Sequence, residues 1–196
     1  MRELVAADIG GTHARFTIAT RADDGRITLG ETAKLRVADF ASLQTAFEAF
    51  RAGLGRPAPD RASIALAAPT DVELITLANN PWVIRPAHAA ERMGLEKVNF
   101  INDFAAVAQA VSACPADQLA HLAGPVRGLP ANGAISVIGP GTGLGVALLL
   151  NGPRPRVVPT EGGHIDFAPV DRVEDQILSQ LRLKYRRVSV ERVVAG

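Results

Sequence analysis

A chain of 196 residues has room for one large domain or two small ones, and a hydrophobic content of 47% is ample for a packed core. A formal net charge of +1 argues against nucleic acid or an anionic membrane as the main partner. The single cysteine, Cys114, excludes an intramolecular disulfide and a zinc site built on several thiolates, so reducing cytoplasm is the economical compartment. Glu3 and Asp8 interrupt the first apolar run, which does not read as a signal peptide, and the longest such run, Val146 to Leu150, is far too short to span a bilayer.

Leu4 to Asp8 reads as the end of a buried strand that carries a carboxylate at its tip. Gly10-Gly11 permits positive φ and close backbone approach, and a strand pattern resumes over His13–Ala19, so the glycines read as a hairpin tip. Such a tip offers backbone N–H groups and the Thr12 hydroxyl to phosphate oxygens. Asp8 is an oxygen ligand of the kind Mg²⁺ prefers, directly or through water. The plain alternative is an ordinary Gly-Gly turn with Asp8 hydrogen-bonded to it. No lysine and no helix follows the glycines, which excludes a Walker loop and a Rossmann turn.

After the turn Asp23-Asp24-Gly25, Arg26–Val37 is expected to be the third strand of a meander. Asp39 is the expected N-cap of a helix carrying Phe40, Leu43, Phe47, Phe50 and Leu54 on one face, ended by Gly53 and Gly55. Ala62–Ala67 and Val72–Leu77 read as short strands, Pro86 opens a short helix that ends at Gly94, and Val98–Ile101 is a further strand. Asn102-Asp103 then precedes a helix over Phe104–Val111. A helix N-cap explains one of this pair but not both. A carboxylate at a helix N-terminus stays ionised and can accept a proton from a substrate hydroxyl, while Asn102 offers a donor and an acceptor to a neighbouring hydroxyl.

Composition shifts over residues 115–133, with Pro115, Gly124, Pro125, Gly128, Pro130 and Gly133, and this stretch reads as the boundary between domains at 1–114 and 115–196. Ala134–Gly139 and Leu144–Leu150 are strands joined by a second glycine-rich turn, and Arg156–Pro159 is another. Gly139 to Gly145 holds four glycines in seven positions, more than a tight turn requires, which signals close approach of the backbone to something; a flexible hairpin is the plain alternative. Two such hairpins facing each other would clamp a polyphosphate. Glu161-Gly162-Gly163-His164-Ile165-Asp166-Phe167 lacks the second histidine of a metalloprotease helix. It reads either as a buried His164–Asp166 pair or as a sugar site in which Glu161 and His164 serve adjacent hydroxyls. Asp171 and Glu174 form a capping-box pattern before a helix with Val173, Ile177, Leu178, Leu181 and Tyr185 on one side. Arg182, Lys184, Arg186 and Arg187 read as its solvated charges. Ser189 is expected to cap a last segment, with Glu191 inside it as a dipole-stabilising residue.

Together, Asp8–Arg15, Phe100–Phe104, Gly139–Gly145, Glu161–Phe167 and Val188–Gly196 resemble, in order and spacing, the bacterial glucokinase family of the actin/Hsp70/hexokinase superfamily; the likeness runs from Val5 to Gly196. It implies an α/β, ribonuclease-H-like, actin-like two-lobed ATPase fold with the second lobe truncated, because family members continue well past Gly196 into a segment with the adenosine contacts. It implies ATP-dependent phosphorylation of glucose at the 6-hydroxyl, the entry to glycolysis. By the same resemblance Ala7, Asp8, Ile9, Gly10, Gly11 and Thr12 match the first phosphate loop, and Gly141, Thr142 and Gly143 the second. Asn102, Asp103, Glu161, His164 and Glu191 match the glucose ligands, with Asp103 as the base. Mg²⁺ would arrive with ATP, with Asp8 in its shell. The family usually has Gly at Ala7 and Asn at His13, both beside the phosphates, and the cysteine-rich zinc motif of the related ROK kinases is not matched. Glucose and ATP are the expected partners, with homodimer formation through exposed apolar surface. The 196-residue chain alone is expected to be a poor kinase. A non-catalytic sugar-binding or regulatory module is the alternative; an actin- or Hsp70-like ATPase without sugar dependence is a third reading, opposed by Asn102, Asp103, Glu161 and His164.

Overall fold

A computed structural model describes residues 1–77, 79–125 and 128–195. Within the proline- and glycine-rich stretch 115–133, residues 126 and 127 lie outside the described residues, as does Gly196. The chain divides into two compact units, Met1–Asp103 and Phe104–Gly196.

The first unit contains β1 (Arg2–Ile9), β2 (His13–Arg21), β3 (Ile27–Leu29), β4 (Ala33–Arg36), α1 (Leu43–Gly53), β5 (Arg61–Leu66), β6 (Ile75–Leu77), β7 (Asn80–Ile84), α2 (Pro86–Met93) and β8 (Lys97–Asn102). Its main sheet runs β3-β2-β1-β5-β8, with β4 also on β2, and β6 and β7 form a separate ladder. β1 and β2 are antiparallel, whereas β5 is parallel to β1 and β8 to β5. Parallel neighbours need a crossover, and α1 and α2 lie in the two crossovers. One face of the β1/β2 hairpin is apolar: Val5, Ala7, Ile9, Ala14, Phe16 and Ile18 are all buried. α1 brings Phe47 and Phe50 onto Phe16, with ring centroids 5.3 to 6.3 Å apart. Trp82 is buried, and its indole N–H donates to the Phe40 carbonyl at 2.9 Å.

The expected third strand, Arg26–Val37, is two strands. Leu29 pairs with Ala19, but Ala33 pairs with Phe16, so the register slips by one residue between them. Gly30 sits at the slip, its N–H donating to the Ile18 carbonyl and its carbonyl accepting from the Thr17 hydroxyl. A one-residue slip exchanges the two faces of a strand. Ile27 and Leu29 therefore lie exposed, while Ala33 and Leu35 pack against the core.

Asp39 does not cap α1. It belongs to a 3₁₀ turn over Val37–Asp39, and Ser42 is the cap. The Ser42 hydroxyl accepts from the Thr45 N–H at 3.2 Å, and the Thr45 hydroxyl accepts from the Ser42 N–H at 3.1 Å, which satisfies two end donors reciprocally. Phe40 thus precedes the helix and contributes its carbonyl to Trp82.

The second unit contains α3 (Asp103–Ala113), apart from its first residue, then β9 (Gly133–Pro140), β10 (Leu144–Asn151), β11 (Arg156–Thr160), α4 (Arg172–Lys184) and α5 (Glu191–Val194). β9, β10 and β11 form an antiparallel sheet with β10 central, where Ala147 and Leu149 are buried. Asp171 caps α4 by accepting from the Glu174 N–H at 2.9 Å, while Glu174 reaches back to the N–H of Val170 instead of Asp171. On the apolar side of α4 Leu178 is buried, whereas Val173 and Ile177 are exposed. Ser189 makes no side-chain cap; it forms a β-bridge with Asp166, and Val190, already helical, leads into α5. No helix among the described residues is long and apolar enough to cross a membrane.

Candidate functional site

In the first unit, the turn between β1 and β2 is closed by the Gly10 N–H donating to the His13 carbonyl at 3.0 Å. Two further bonds hold it from outside. The Asn80 side-chain amide donates to the Gly10 carbonyl at 2.9 Å, and the Val37 N–H donates to the Thr12 carbonyl at 2.9 Å. Asn80 is buried and its amide oxygen accepts from the Trp82 N–H at 2.9 Å, so one buried side chain fastens the turn to β7. Ala7 and Ile9 face the core, which leaves their backbones as what they can offer a phosphate. Asp8 and Thr12 are exposed.

Asp8 Oδ2 accepts from Arg15 Nη1 at 2.8 Å, across the β1/β2 ladder where the two residues are opposite. A single half-exposed carboxylate fits Mg²⁺, which keeps several waters and is held by one or two carboxylates with substrate phosphates. Among the described residues no group of three or more His, Cys, Asp or Glu side chains is placed to hold a metal ion by itself. His13 lies opposite Arg36, and Arg15 opposite Lys34. Part burial of the His13 ring, then the Lys34, Arg15 and Arg36 charges, hold its pKa below the ordinary imidazole value.

Asn102 ends β8, Asp103 begins α3, and both are half-buried. The Asn102 amide reaches the Ala68 carbonyl at 3.5 Å. Ladder register sets Ile9, Leu66 and Asn102 abreast at the carboxyl ends of β1, β5 and β8. Two interstrand spacings, about 10 Å, therefore separate the start of the glycine turn from the Asn102-Asp103 pair. The carboxyl ends of parallel strands are where open α/β sheets take their ligands.

In the second unit, the β9–β10 turn is closed by the Gly141 N–H donating to the Gly143 carbonyl at 2.8 Å. Its surplus glycines are accounted for by neighbours within the protein. A Cβ on Gly139 or Gly145 would collide with the Phe104 ring, and one on Gly143 would lie 2.8 Å from Glu191 Oε2. Gly141 and Thr142 are the exposed tip. Glu191 Oε2 accepts from the Leu144 N–H at 2.8 Å, and its Oε1 lies 3.7 Å from His164 Nδ1. His164 Nε2 is 3.5 Å from Glu161 Oε2. The structure thus brings Glu161, His164 and Glu191 together beside the second turn. Exposure falls along the row, with 83% of the Glu161 side chain, 55% of His164 and 28% of Glu191 open to solvent.

The expected alternative of a buried His164–Asp166 pair is not formed. His164 and Asp166 are exposed, and Asp166 pairs with Arg187, whose guanidinium also donates to the His164 carbonyl at 2.8 Å. Arg187 is thereby a clamp on the Glu161–Asp166 segment as well as the solvent-exposed charge expected of it. Nor are Lys184 and Arg192 idle: both cover the Tyr185 ring, Arg192 at 3.9 Å from its centroid, which fixes α5 to the end of α4. Asn80, Phe104 and Arg187 support the site residues without having been singled out from the sequence. Asn80 follows Asn79, whose φ of 57° is the one positive value of a non-glycine among the described residues.

The glucokinase family profile matches residues 5–196. A glucokinase of Zymomonas mobilis is 52% identical over 99% of this chain, which spans 60% of that protein. The crystal structure of a glucokinase from an Antarctic psychrotroph superposes with a TM-score of 0.82 at 32% identity, covering all of this chain and 61% of the other. A glucokinase of Balamuthia mandrillaris, solved with glucose, shares the fold at a TM-score of 0.68 and 22% identity over all of this chain and 60% of that one. The chain thus has the α/β fold of the actin-like ATPase superfamily, spans about 60% of the length of the relatives it matches, and belongs to the glucokinase family.

Proposed function

We propose that the protein phosphorylates glucose at its 6-hydroxyl, with ATP as donor and glucose 6-phosphate as product. The observation that carries this is the ladder register: Asn102 and Asp103 lie about 10 Å from a glycine turn, at the carboxyl ends of β8 and β1 with β5 between them, a span that suits a sugar beside a terminal phosphate. Family membership and the grouped Glu161, His164 and Glu191 support the sugar half of the reading.

Phosphoryl transfer through a loose transition state asks for positioning and charge neutralisation more than for covalent help. Asn102, Glu161, His164 and Glu191 would hold the sugar hydroxyls and fix the direction of the 6-oxygen. Asp103, ionised at the start of α3, would accept its proton late in the reaction. Ala7 to Thr12 and Gly141 to Gly143 would present backbone N–H groups and the Thr12 and Thr142 hydroxyls to the phosphate oxygens. Mg²⁺, held by Asp8 and the phosphates, would supply further neutralisation of their charge. In this reading the protein works in the cytoplasm at the entry to glycolysis, and homodimer formation is open to test by its mass in solution.

The test is a coupled assay for glucose 6-phosphate. Asp103→Asn is expected to lower turnover by about 10²- to 10⁴-fold, the usual contribution of a general base, with the glucose KM little changed. Variant and parent are both measured as the complete protein, because the 196-residue chain alone is expected to be a poor kinase; turnover of the variant within about threefold of its parent, or no ATP-dependent product at saturating glucose, overturns the reading. Calorimetry on the 196-residue chain separates the non-catalytic alternative, which requires glucose binding without nucleotide binding.

A further inference from the structure

We infer that Glu191, beyond any hydroxyl it holds, positions the second glycine turn: its carboxylate ties the Leu144 N–H, at the end of that turn, to the His164 imidazole, so that a sugar held at His164 and Glu191 and the setting of the turn are coupled. The coupling rests on the glucose reading above; the tie itself does not.

The geometry on both sides of Leu144 is specific. Its N–H donates to Glu191 Oε2 at 2.8 Å, a charge-assisted bond. Its carbonyl lies against Gly163, where a Cβ would overlap the oxygen. The Gly143–Leu144 segment is thus held between the carboxylate on one side and Gly163 on the other. Gly143 has no room for a side chain because Oε2 would be 2.8 Å from it, and Gly162 has none because Val146 Cγ1 would be 2.9 Å away. These glycines make the seat in which the turn is gripped.

The other carboxylate oxygen faces His164 Nδ1 at 3.7 Å, within ion-pair reach but longer than a hydrogen bond. A ligand hydroxyl that moves the imidazole or donates to Oε1 must therefore act on the same carboxylate that holds Leu144. Glu191 can transmit this because its own element is pinned. Arg192 stacks on Tyr185, Ser189 bridges Asp166, and Arg187 joins Asp166 to the His164 carbonyl.

A tie to a backbone N–H makes an ordering that a charge-only role reverses. Glutamine keeps an acceptor oxygen at the same reach, whereas aspartate keeps the charge but is one methylene short. The experiment is amide hydrogen exchange by NMR on the ¹⁵N-labelled chain, with D-glucose as the titrant. E191D is expected to speed Leu144 exchange about 10- to 100-fold, as the loss of a charge-assisted bond would, and E191Q, which keeps the acceptor and loses only the charge, by less than about tenfold and by less than E191D. Glucose is expected to shift the Leu144 amide in the parent and in E191Q, and to leave it unmoved in E191D even where other amides report binding. Exchange in E191D equal to the parent, or faster in E191Q than in E191D, overturns the tie. A full Leu144 response to glucose in E191D overturns the coupling. If glucose moves no amide at all, the substrate reading and the coupling fail together, while the exchange ranking still decides the tie.

Discussion

The two glycine turns look alike as sequence and are built differently. The first, at Gly10, has space around it: a Cβ there would meet nothing nearer than the His13 carbonyl at 3.7 Å, and φ at Gly10 is not positive. It is held by hydrogen bonds from Asn80 and Val37. The second is held by the Glu191 bond to the Leu144 N–H and by close contact. Gly139 and Gly145 lie against the Phe104 ring, and Gly143 against Glu191. Glycine therefore means different things in the two places. In the first neither crowding nor a positive φ at Gly10 calls for it; in the second it admits Phe104 and Glu191, and Gly141 and Thr142 remain at an open tip.

The largest effect expected from this contrast is at Gly145. Gly145→Ala drives a methyl group into the Phe104 ring and should destabilise the second unit by about 1–3 kcal/mol, the usual cost of overpacking. Urea denaturation followed by tryptophan-independent circular dichroism measures it. Gly10→Ala is the control and should change stability by no more than about 0.5 kcal/mol, as at an uncrowded position. Phe104→Leu in the Gly145→Ala background should recover part of the loss, because the clash is with the ring itself. Additive effects in that double-mutant cycle would show that the ring is not what the glycine accommodates.

Of similar size is the effect at Asn80, the first turn's counterpart of Phe104. Asn80→Ala leaves the Gly10 carbonyl and the Trp82 N–H without their side-chain partner, and the site is buried. A loss of about 1–3 kcal/mol is expected, together with weaker nucleotide binding if that turn holds phosphate. Unchanged stability would mean that the turn is held by its own ladder and not from β7.

Much of this was legible one element at a time. Apolar alternation marked β1 and β2, and Pro86 and Gly94 bracketed α2 as written. The slip at Gly30 was hidden because Ile27, Leu29, Ala33 and Leu35 share one alternation, interrupted only at Glu31; only pairing with β2 shows that the faces change. The cap of α1 was hidden by competition between Asp39 and Ser42, decided by the Thr45 hydroxyl answering Ser42. At the site, the excess of glycine correctly signalled close approach, but not to what. Glu191 is 47 residues from Leu144, and no local pattern carries a contact of that range. The clamp by Arg187 was masked for a similar reason: a cation after a helix has a local explanation that stops the search.

The smallest expected effect lies beside the first turn and is carried by charge. His13 is opposite Arg36, next but one to Arg15, and faces Lys34 as well, with Asp8 already engaged by Arg15. Part burial and those cations lower its pKa in the folded chain from the ordinary 6.5. Between the lowered value and 6.5 the unfolded chain binds the extra proton more readily than the folded one, so protonation favours unfolding. Stability owed to a neutral His13 is therefore fully present above pH 6.5 and is lost as pH falls toward the lowered value. His13→Asn removes the titrating group, so its melting temperature should fall less than that of the parent between pH 7.5 and 5. Parallel curves for the two proteins would show that His13 is not strained by its neighbours. The same titration bears on ligand binding with the opposite sign: the ring, once charged, adds a cation beside the turn. Tripolyphosphate affinity, measured by calorimetry over that range, should then rise more at low pH in the parent than in His13→Asn. A matching pH profile in the two would place the anion away from the first turn.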